Sequence, residues 1–217
     1  DGKPFDFAPD GSFFAAFDRD AGPSAVLVAT LPSGSTVVRD LTVAPRAWQI
    51  ETVDVPLKVH LPSAEFMARR KPELEQIGVA RALKSDSQGW RQHFIWPVKG
   101  RISGQFGSQR IYRGGEKGSY HSGIDIATGT SGTPFVAPAD GVVILVANPP
   151  FTLEGNLLMI DHGMGLNSAF LHCSEVDVKL GDHVKQGQVI GYVGMTGRAT
   201  GPHLHWSLMW HGARLDP

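Results

Sequence analysis

The sequence has little cysteine, no apolar stretch long enough to span a membrane and almost no net charge. Its 217 residues include a single cysteine, Cys173, which excludes an internal disulfide framework, zinc fingers and thiolate clusters. The apolar run at 141–147 is far shorter than the roughly 18 residues that a membrane-spanning helix needs. Any bound metal must therefore take nitrogen and oxygen ligands.

The charge balance and the first residues limit which binding partners and which cellular compartment are expected. Twenty Lys and Arg residues against 21 Asp and Glu residues give a net charge of -1, so a basic nucleic-acid-binding face is not expected. The chain begins Asp1-Gly-Lys-Pro4, without a signal peptide. This start fits a cytosolic protein, or an exported one whose targeting segment has been removed.

Glycine and histidine are concentrated in the second half of the chain. Twenty of the 26 glycines lie at or after Gly100, and seven of the nine histidines lie between His121 and His211. A composition shift of this size predicts a domain boundary near residue 95. We therefore divide the chain into a β-rich N-terminal module at 1–62, a helical linker at 63–94 and a second domain at 95–217.

Local sequence patterns predict a fold for each part, and the predicted fold class is mainly β. Short β-rich runs, including 12–18 and 24–30, predict a small β-sandwich-like module at about 5–61. In the linker, Leu74, Ile77, Ala80 and Leu83 recur at helical spacing, and Pro72 suits the first turn of a helix of about three turns. Beyond residue 95, short apolar runs between glycine-rich turns predict an all-β domain.

Three short stretches carry candidate chemistry: His121-Ser-Gly-Ile-Asp125, His172 in Phe170-Leu-His172, and His203-Leu-His205. In His203-Leu-His205 on a strand, residues i and i+2 share one face about 7 Å apart, so both imidazoles can converge on one small site. His121 and Asp125 would lie about 13 Å apart on a straight strand, but Gly123 between them permits a bend. Taken singly, each pair fits surface residues on a sheet or turn equally well.

The combination is more specific than its parts. Three nitrogen and oxygen ligands with one open position are the composition of a catalytic zinc site, whereas structural zinc sites are closed and thiol-rich. Histidines that are not ligands suit acid–base work at neutral pH. The chain has no H-E-x-x-H motif, so a histidine rather than a glutamate is expected to be the base.

These stretches resemble the three signatures of the LytM/lysostaphin-type zinc endopeptidases, which cleave peptide bonds in bacterial peptidoglycan. The resemblance covers about residues 95–217. The signature residues, in chain order, are His121-Ser-Gly-Ile-Asp125, His172 in Phe170-Leu-His172, and Gly201-Pro-His203-Leu-His205. Flanking segments also match, among them 136–143, 155–163, 187–191 and 194–197.

The resemblance implies a fold, a cofactor and roles for five residues. The fold would be an antiparallel two-sheeted β domain with a groove across it. His121, Asp125 and His205 would hold one zinc ion, and His203 and His172 would be catalytic. Without the resemblance, the sequence leaves open which of His203 and His205 is the ligand. Cys173 follows His172 where the family often has Leu, and we expect it to be a small core residue.

The implied function is hydrolysis of peptide cross-links or stem peptides of peptidoglycan, in the periplasm or outside the cell. One alternative is a catalytically silent relative that regulates a cell-wall amidase, although such a protein should have lost zinc ligands. Another is a secreted protease that acts on proteins. A lipoyl- or biotinyl-carrier module shares the hairpin patterns near 137–143 and 181–191 but needs an exposed lysine in a set motif, which Lys185 lacks. The sequence leaves the oligomeric state open.

Overall fold

A computed structural model describes residues 4–57 and 62–217. These residues form one long helix and fifteen strands, together with two short 3₁₀ turns at Gly89–Arg91 and Arg113–Gly115. The helix α1 is Ala64–Ala82. The strands, in chain order, are β1 Ser24–Thr30, β2 Thr36–Thr42, β3 Ile50–Thr52, β4 Arg101–Gly104, β5 Gln109–Ile111, β6 Ile124–Ala127, β7 Pro134–Val136, β8 Gly141–Val146, β9 Asn156–Asp161, β10 Leu166–Cys173, β11 Glu175–Val176, β12 His183–Val184, β13 Val189–Tyr192, β14 Leu204–Trp210 and β15 Ala213–Leu215.

Two antiparallel sheets build the C-terminal part. The large sheet has the strand order β12-β8-β9-β10-β14-β6-β4, with β15 beside β14, and the small sheet has the order β11-β13-β7. Apolar side chains from the two sheets meet in one core that includes Phe135, Ile190, Phe170 and Leu204. The predicted fold class, mainly β with an antiparallel two-sheeted domain, is confirmed.

Side chains alternate across the large sheet and give its two faces different partners. Phe170 and Leu204 face the small sheet, whereas Ala169 on β10 and Met159 on β9 pack against Ile77 of α1 in a second core. Because Leu171 pairs with His205, and His205 with Asp125, these residues share the face that α1 partly covers.

The helix is longer than predicted. Ser63 caps its N-terminus by accepting a hydrogen bond from the Phe66 amide, and 19 residues follow, about five turns rather than three. Pro72 therefore lies in the interior of the helix and not in its first turn, so the Ala68 carbonyl has no amide four residues on to bond. Leu74, one of the predicted apolar positions, is 48% exposed.

Two charged residues take buried positions on α1. Arg70 donates to both carboxylate oxygens of Glu154 at 2.6 and 2.8 Å and to Glu73 at 2.9 Å. Glu73 accepts from the amide and hydroxyl of Thr152. A fully paired network of this kind can be buried, and it fixes the helix to the loop that precedes β9.

The predicted β-sandwich-like module is wrong for the described residues of that segment. Within 4–57, β1 and β2 form a two-stranded hairpin with no second sheet against it, and Val26 and Val28 stay exposed. The run 12–18 is not a strand. Its Phe14 side chain packs against the Trp210 ring. The short β3 pairs in parallel with β5 of the large domain.

The three-part division of the chain stays a prediction. Its first boundary falls next to residues 58–61, which lie outside the described residues. No helix in the described parts of the chain is both long and apolar enough to cross a membrane.

Candidate metal centre and active site

Asp125 and His205 form a directly opposed pair across two strands. In the antiparallel pairing of β6 with β14 they occupy the same register position, so both side chains leave the sheet on the same face. The distance from His205 Nδ1 to Asp125 Oδ1 is 2.8 Å. Hydrogen bonding between the strands therefore brings an imidazole nitrogen and a carboxylate oxygen together across 80 positions of sequence.

His121 joins this pair because the chain bends before β6. The strand begins only at Ile124, and residues 121–123 turn away from its line. His121 Nε2 lies 3.2 Å from Asp125 Oδ1 and 3.2 Å from His205 Nδ1. Its Nδ1 is 3.1 Å from the carbonyl oxygen of Gln105. Since a carbonyl can only accept, Nδ1 carries the proton and Nε2 presents its lone pair to the other two donors.

The three-donor cluster (His121, Asp125 and His205) has the spacing that a small divalent ion requires. The sides of the triangle of donor atoms measure 2.8, 3.2 and 3.2 Å. Donors about 2.0–2.1 Å from a tetrahedral zinc ion lie roughly 3.3 Å from one another. The donor set is two imidazoles and one carboxylate, which leaves a fourth position open. The residues therefore fit a metal of the zinc type.

The electrostatics of the cluster favour a charged carboxylate. Burial opposes ionisation of Asp125, but hydrogen bonds and charges from His121 and His205 outweigh it and hold the pKa of this carboxyl well below its usual range. Burial also opposes the charged form of His121, and the Asp125 carboxylate overcomes that effect and raises its pKa. Asp125 is thus held in its anionic form, the form that binds a cation.

His203 stands at the edge of the cluster. It precedes β14, and its amide bonds the carbonyl of Gly194 at 3.1 Å. Its Nδ1 lies 2.8 Å from the Gly201 carbonyl, which fixes the proton on Nδ1. The other ring nitrogen, Nε2, lies 3.7 Å from Asp125 Oδ1, beyond hydrogen-bond distance. His203 thus faces the cluster with a free lone pair but does not belong to the triangle.

His172 reaches the same place through a break in β10. The pairing of β10 with β9 shifts between Phe170 and Cys173, and His172 has a φ of 65°, which is unusual for a residue with a side chain. The bulge turns its imidazole onto the face of the cluster, with its ring centre 4.9 Å from that of His203. Its Nδ1 donates to the Thr196 carbonyl at 2.8 Å, and burial lowers its pKa.

The structure thus brings all five predicted site residues together. Cys173 lies beneath them, fully buried, where burial raises the pKa of its thiol to about 12, so it is a core residue as expected. The Cys173 thiol donates to the Phe170 carbonyl at 3.6 Å and His172 Nδ1 donates to the Thr196 carbonyl, so the two side chains are not hydrogen-bonded to each other as a nucleophilic pair.

Two glycines next to the cluster were not identified from the sequence as steric requirements. A Cβ at Gly104 would overlap Asp125 Oδ2 and lie 3.1 Å from His121 Cε1. A Cβ at Gly123 would overlap the Trp206 carbonyl oxygen and lie 2.7 Å from His205 Nε2. Gly123 lies at the predicted bend, and its lack of a side chain also leaves room for the His205 ring. Only a three-dimensional contact could reveal this.

The N-terminal segment supports the loop that holds His121. Loop 105–108 bonds His121 at three points: Gln105 O to Nδ1, Gly107 N to the His121 carbonyl, and Ser108 O to the His121 amide. From the other side, Arg19 Nε donates to Gly107 O at 3.1 Å, and the Trp48 ring lies where a Cβ of Gly107 would be. The sequence contains no local signal for this contact, since Arg19 and Trp48 belong to no motif.

Comparison with known proteins identifies related chains. Residues 119–217, which contain the three-donor cluster, match a family described as peptidase family M23. Peptidoglycan DD-endopeptidase ShyA from Vibrio cholerae is 41% identical over 123 residues, which make up 56% of this chain and 28% of ShyA. The chain therefore spans less than a third of the length of that curated relative.

Two solved structures share the fold. A zinc-containing peptidase from Vibrio cholerae is 34% identical, with a TM-score of 0.52, over 57% of this chain and 39% of that one. A crystal structure described as a candidate M23 peptidase from Pseudomonas aeruginosa matches 91% of this chain and 73% of its own, with 32% identity and a TM-score of 0.70. With a match of that extent, and with the three-donor cluster inside the matched family region, the chain belongs to peptidase family M23.

Proposed function

We propose that this chain is a zinc-dependent endopeptidase that hydrolyses peptide cross-links or stem peptides of bacterial peptidoglycan. The observation that carries the proposal is the triangle of His121 Nε2, Asp125 Oδ1 and His205 Nδ1, with the two further imidazoles of His203 and His172 beside it. The substrate class is supported by the similarity to ShyA, a peptidoglycan DD-endopeptidase. Such a substrate would place the chain in the cell envelope, periplasmic or extracellular.

His121, Asp125 and His205 are the proposed zinc ligands. When bound, zinc would supply Lewis-acid chemistry: it would polarise a peptide carbonyl and lower the pKa of water, so that hydroxide is available to attack near neutral pH. The Gln105 carbonyl fixes the tautomer of His121, so that this ligand needs no rearrangement before it binds. The Asp125 carboxylate, whose pKa is depressed, needs no deprotonation.

His203 and His172 are the proposed catalytic residues. Both hold a proton on Nδ1 through a backbone carbonyl, which leaves Nε2 without a proton and able to accept one. Because burial lowers the pKa of His172, its imidazole is neutral at pH 7 and can accept a proton through Nε2. His203, beside Asp125, can accept or donate at the same reacting centre. The two histidines together move the proton from water to the leaving amine.

The proposal is tested by digestion of purified sacculi with zinc-loaded protein, with mass spectrometry of the released peptides. We expect soluble peptides with newly freed ends, and none after a chelator removes the metal. Asp125→Asn should lose zinc on dialysis, whereas Asp40→Asn, an exposed change on the hairpin, should retain it. His203→Ala and His172→Ala should retain zinc and lose about 10²–10⁴-fold in rate.

Three outcomes would contradict the proposal. Wild-type rates in both histidine variants would remove their catalytic role, and normal zinc content in Asp125→Asn would remove the ligand assignment. A zinc-loaded protein that leaves sacculi intact but cleaves unrelated proteins would be a secreted protease. One that cleaves neither, while it stimulates an amidase, would be a regulator.

A further inference from the structure

A groove runs between α1 and the large sheet and ends beside the three-donor cluster. One helical stripe, Arg70, Leu74, Ile77 and Arg81, forms its wall at i, i+4, i+7 and i+11 spacing. We call this space the α1 groove. It encloses about 220 Å³, and His205 is among the residues that line it.

The floor of the α1 groove is continuous with the metal site. Leu171 is paired with His205, and Ala169 with Ser207, so all four side chains lie on one face of the sheet. These four residues also line the groove. A peptide bound over His205 would therefore run along this floor, with α1 on one side.

Three arginines line the α1 groove, and only Arg70 forms ion pairs with carboxylates among the described residues. Arg70, at one end, is buried and fully engaged by Glu154 and Glu73. Arg81 and Arg214, which also line the groove, form no ion pair with a carboxylate anywhere in 4–57 or 62–217. The guanidinium of Arg214 lies 5.5 Å from the centre of the Tyr120 ring.

Arg81 and Arg214 line the same cavity, and the side chains of both are partly exposed. Partial burial lowers the pKa of Arg81, the charge of Arg214 lowers it further, and the charge of Glu154 raises it. That glutamate is already held in a bidentate pair by Arg70. Arg214 has a different acid nearby: Asp18 accepts from the Arg214 amide at 2.9 Å and from the Tyr120 hydroxyl. Two guanidinium groups that line one cavity would both be stabilised by an anion bound between them.

We propose that the α1 groove is a substrate subsite in which Arg81 and Arg214 together bind a free carboxylate of the peptide, separated from the bond that is cut by the floor of the groove. The planar guanidinium fork matches a carboxylate, and Ala169 and Leu171 offer an apolar floor to the peptide between that carboxylate and the reacting centre. This inference rests on the proposed function. It adds that the enzyme requires a carboxylate, from a peptide C-terminus or from an acidic side chain.

The test uses cross-linked muropeptide peptides in three synthetic forms: with all carboxylates free, with the C-terminal carboxylate amidated, and with the side-chain carboxylate amidated. For the free peptide, Arg81→Gln and Arg214→Gln should each raise KM about 10–100-fold, the range for a lost charged hydrogen bond, with little change in kcat. Amidation of the recognised carboxylate should raise KM of the wild type similarly and abolish the effect of both variants. The form that shows this loss identifies the source of the carboxylate.

Arg69→Gln is the matched control. Arg69 lies on the same helix but pairs with Glu65 on its exposed side, away from the α1 groove, and KM should not change. Zinc content is measured for every variant, so that loss of the metal centre is not mistaken for loss of the subsite. Unchanged KM in both arginine variants with normal zinc content would overturn the inference.

The failure of this inference can be distinguished from the failure of the proposed function. If no peptide is cleaved by the zinc-loaded wild type, the proposed function fails, and the same three peptides are titrated by calorimetry into the wild type and Arg81→Gln. Weaker binding to the variant, for the free peptide alone, would still support the subsite. Equal binding, or no binding to either protein, would overturn it.

Discussion

Arg19 and Gly107, 88 positions apart in the sequence, are joined by a hydrogen bond from Nε to the carbonyl oxygen. Arg19 also donates to the Gln109 side chain, and its guanidinium lies 4.7 Å from the centre of the Tyr120 ring. The loop that it holds bonds His121 at three points. The N-terminal segment is therefore part of the support of the proposed zinc ligand rather than a separate appendage.

We expect Arg19→Met to weaken zinc binding about 10–100-fold, the usual effect of losing a group that orients a metal ligand. The methionine keeps most of the apolar contact with the rings and removes the hydrogen bonds to Gly107 and Gln109. Competition with a fluorescent zinc chelator measures the change. Arg39→Met, on the exposed hairpin, is the matched control. Equal zinc affinity in both variants, with unchanged circular dichroism, would refute the coupling.

Gly123→Ala should disturb the metal site directly. The new methyl group would overlap the Trp206 carbonyl and press on the His205 ring, so either the strand pairing or the ligand must move. We expect at least about tenfold weaker zinc affinity and a loss of stability of roughly 1–3 kcal/mol, typical of overpacking. Gly22→Ala, where a Cβ meets nothing within 4 Å, should change neither quantity. An alanine variant at 123 with wild-type affinity would show that the His205 ring can shift freely.

Arg70→Met should destabilise the protein by about 3–5 kcal/mol, because it leaves the buried Glu73 and the half-buried Glu154 without their cation. Urea unfolding measures the change. Arg69→Met, which removes only an exposed pair with Glu65, should cost less than about 1 kcal/mol. A similar small loss in both variants would mean that water replaces the guanidinium and that the docking of α1 depends on its apolar contacts alone.

His162 gives the stability a specific pH dependence. It is fully buried, donates from Nδ1 to the Asp140 carbonyl and accepts at Nε2 from the Ser168 hydroxyl. Burial lowers its pKa to about 4. The unfolded chain binds this proton below about pH 6.5 and the folded chain does not, so stability is complete above pH 6.5 and falls as the pH decreases towards 4.

We expect this residue to account for about 2 kcal/mol of lost stability between pH 7 and pH 5. Urea unfolding of the metal-free protein at the two pH values measures the loss. His162→Asn keeps a donor to Asp140 and cannot titrate, so its stability should fall by about 2 kcal/mol less over the same range, whatever its absolute value. Parallel curves for the two proteins would show that His162 is protonated in the folded state.

The strands around the site were predictable because each has a local pattern. Short apolar runs between glycine-rich turns predict strands beyond residue 95, and the structure has them there, among them β8, β9, β10 and β14. The helix α1 was predicted too, and two of its predicted apolar positions, Ile77 and Ala80, are buried. Periodicity favoured Leu74, whereas the structure buries Arg70 and Glu73, because Glu154 and Thr152 satisfy their polar atoms.

The N-terminal segment marks where local reasoning failed. Its β-rich runs predict a sandwich, but the described part forms a hairpin and several extended stretches whose partners lie beyond residue 100. Trp48 packs on Phe106, and β3 pairs with β5, contacts that span more than 50 positions. Nothing in a local pattern encodes which distant surface an apolar side chain will meet.

The sequence by itself determined the chemistry of the site: with one cysteine, a metal must be held by imidazole and carboxylate, and His121, Asp125, His172, His203 and His205 stand in the family's order. Tertiary structure alone decided how these groups are used. The register of β6 with β14 sets Asp125 opposite His205, and a bulge in β10 turns His172 onto their face. Distances of 2.8–3.2 Å between side chains up to 84 positions apart arise from strand pairing and packing, which no spacing along the chain specifies.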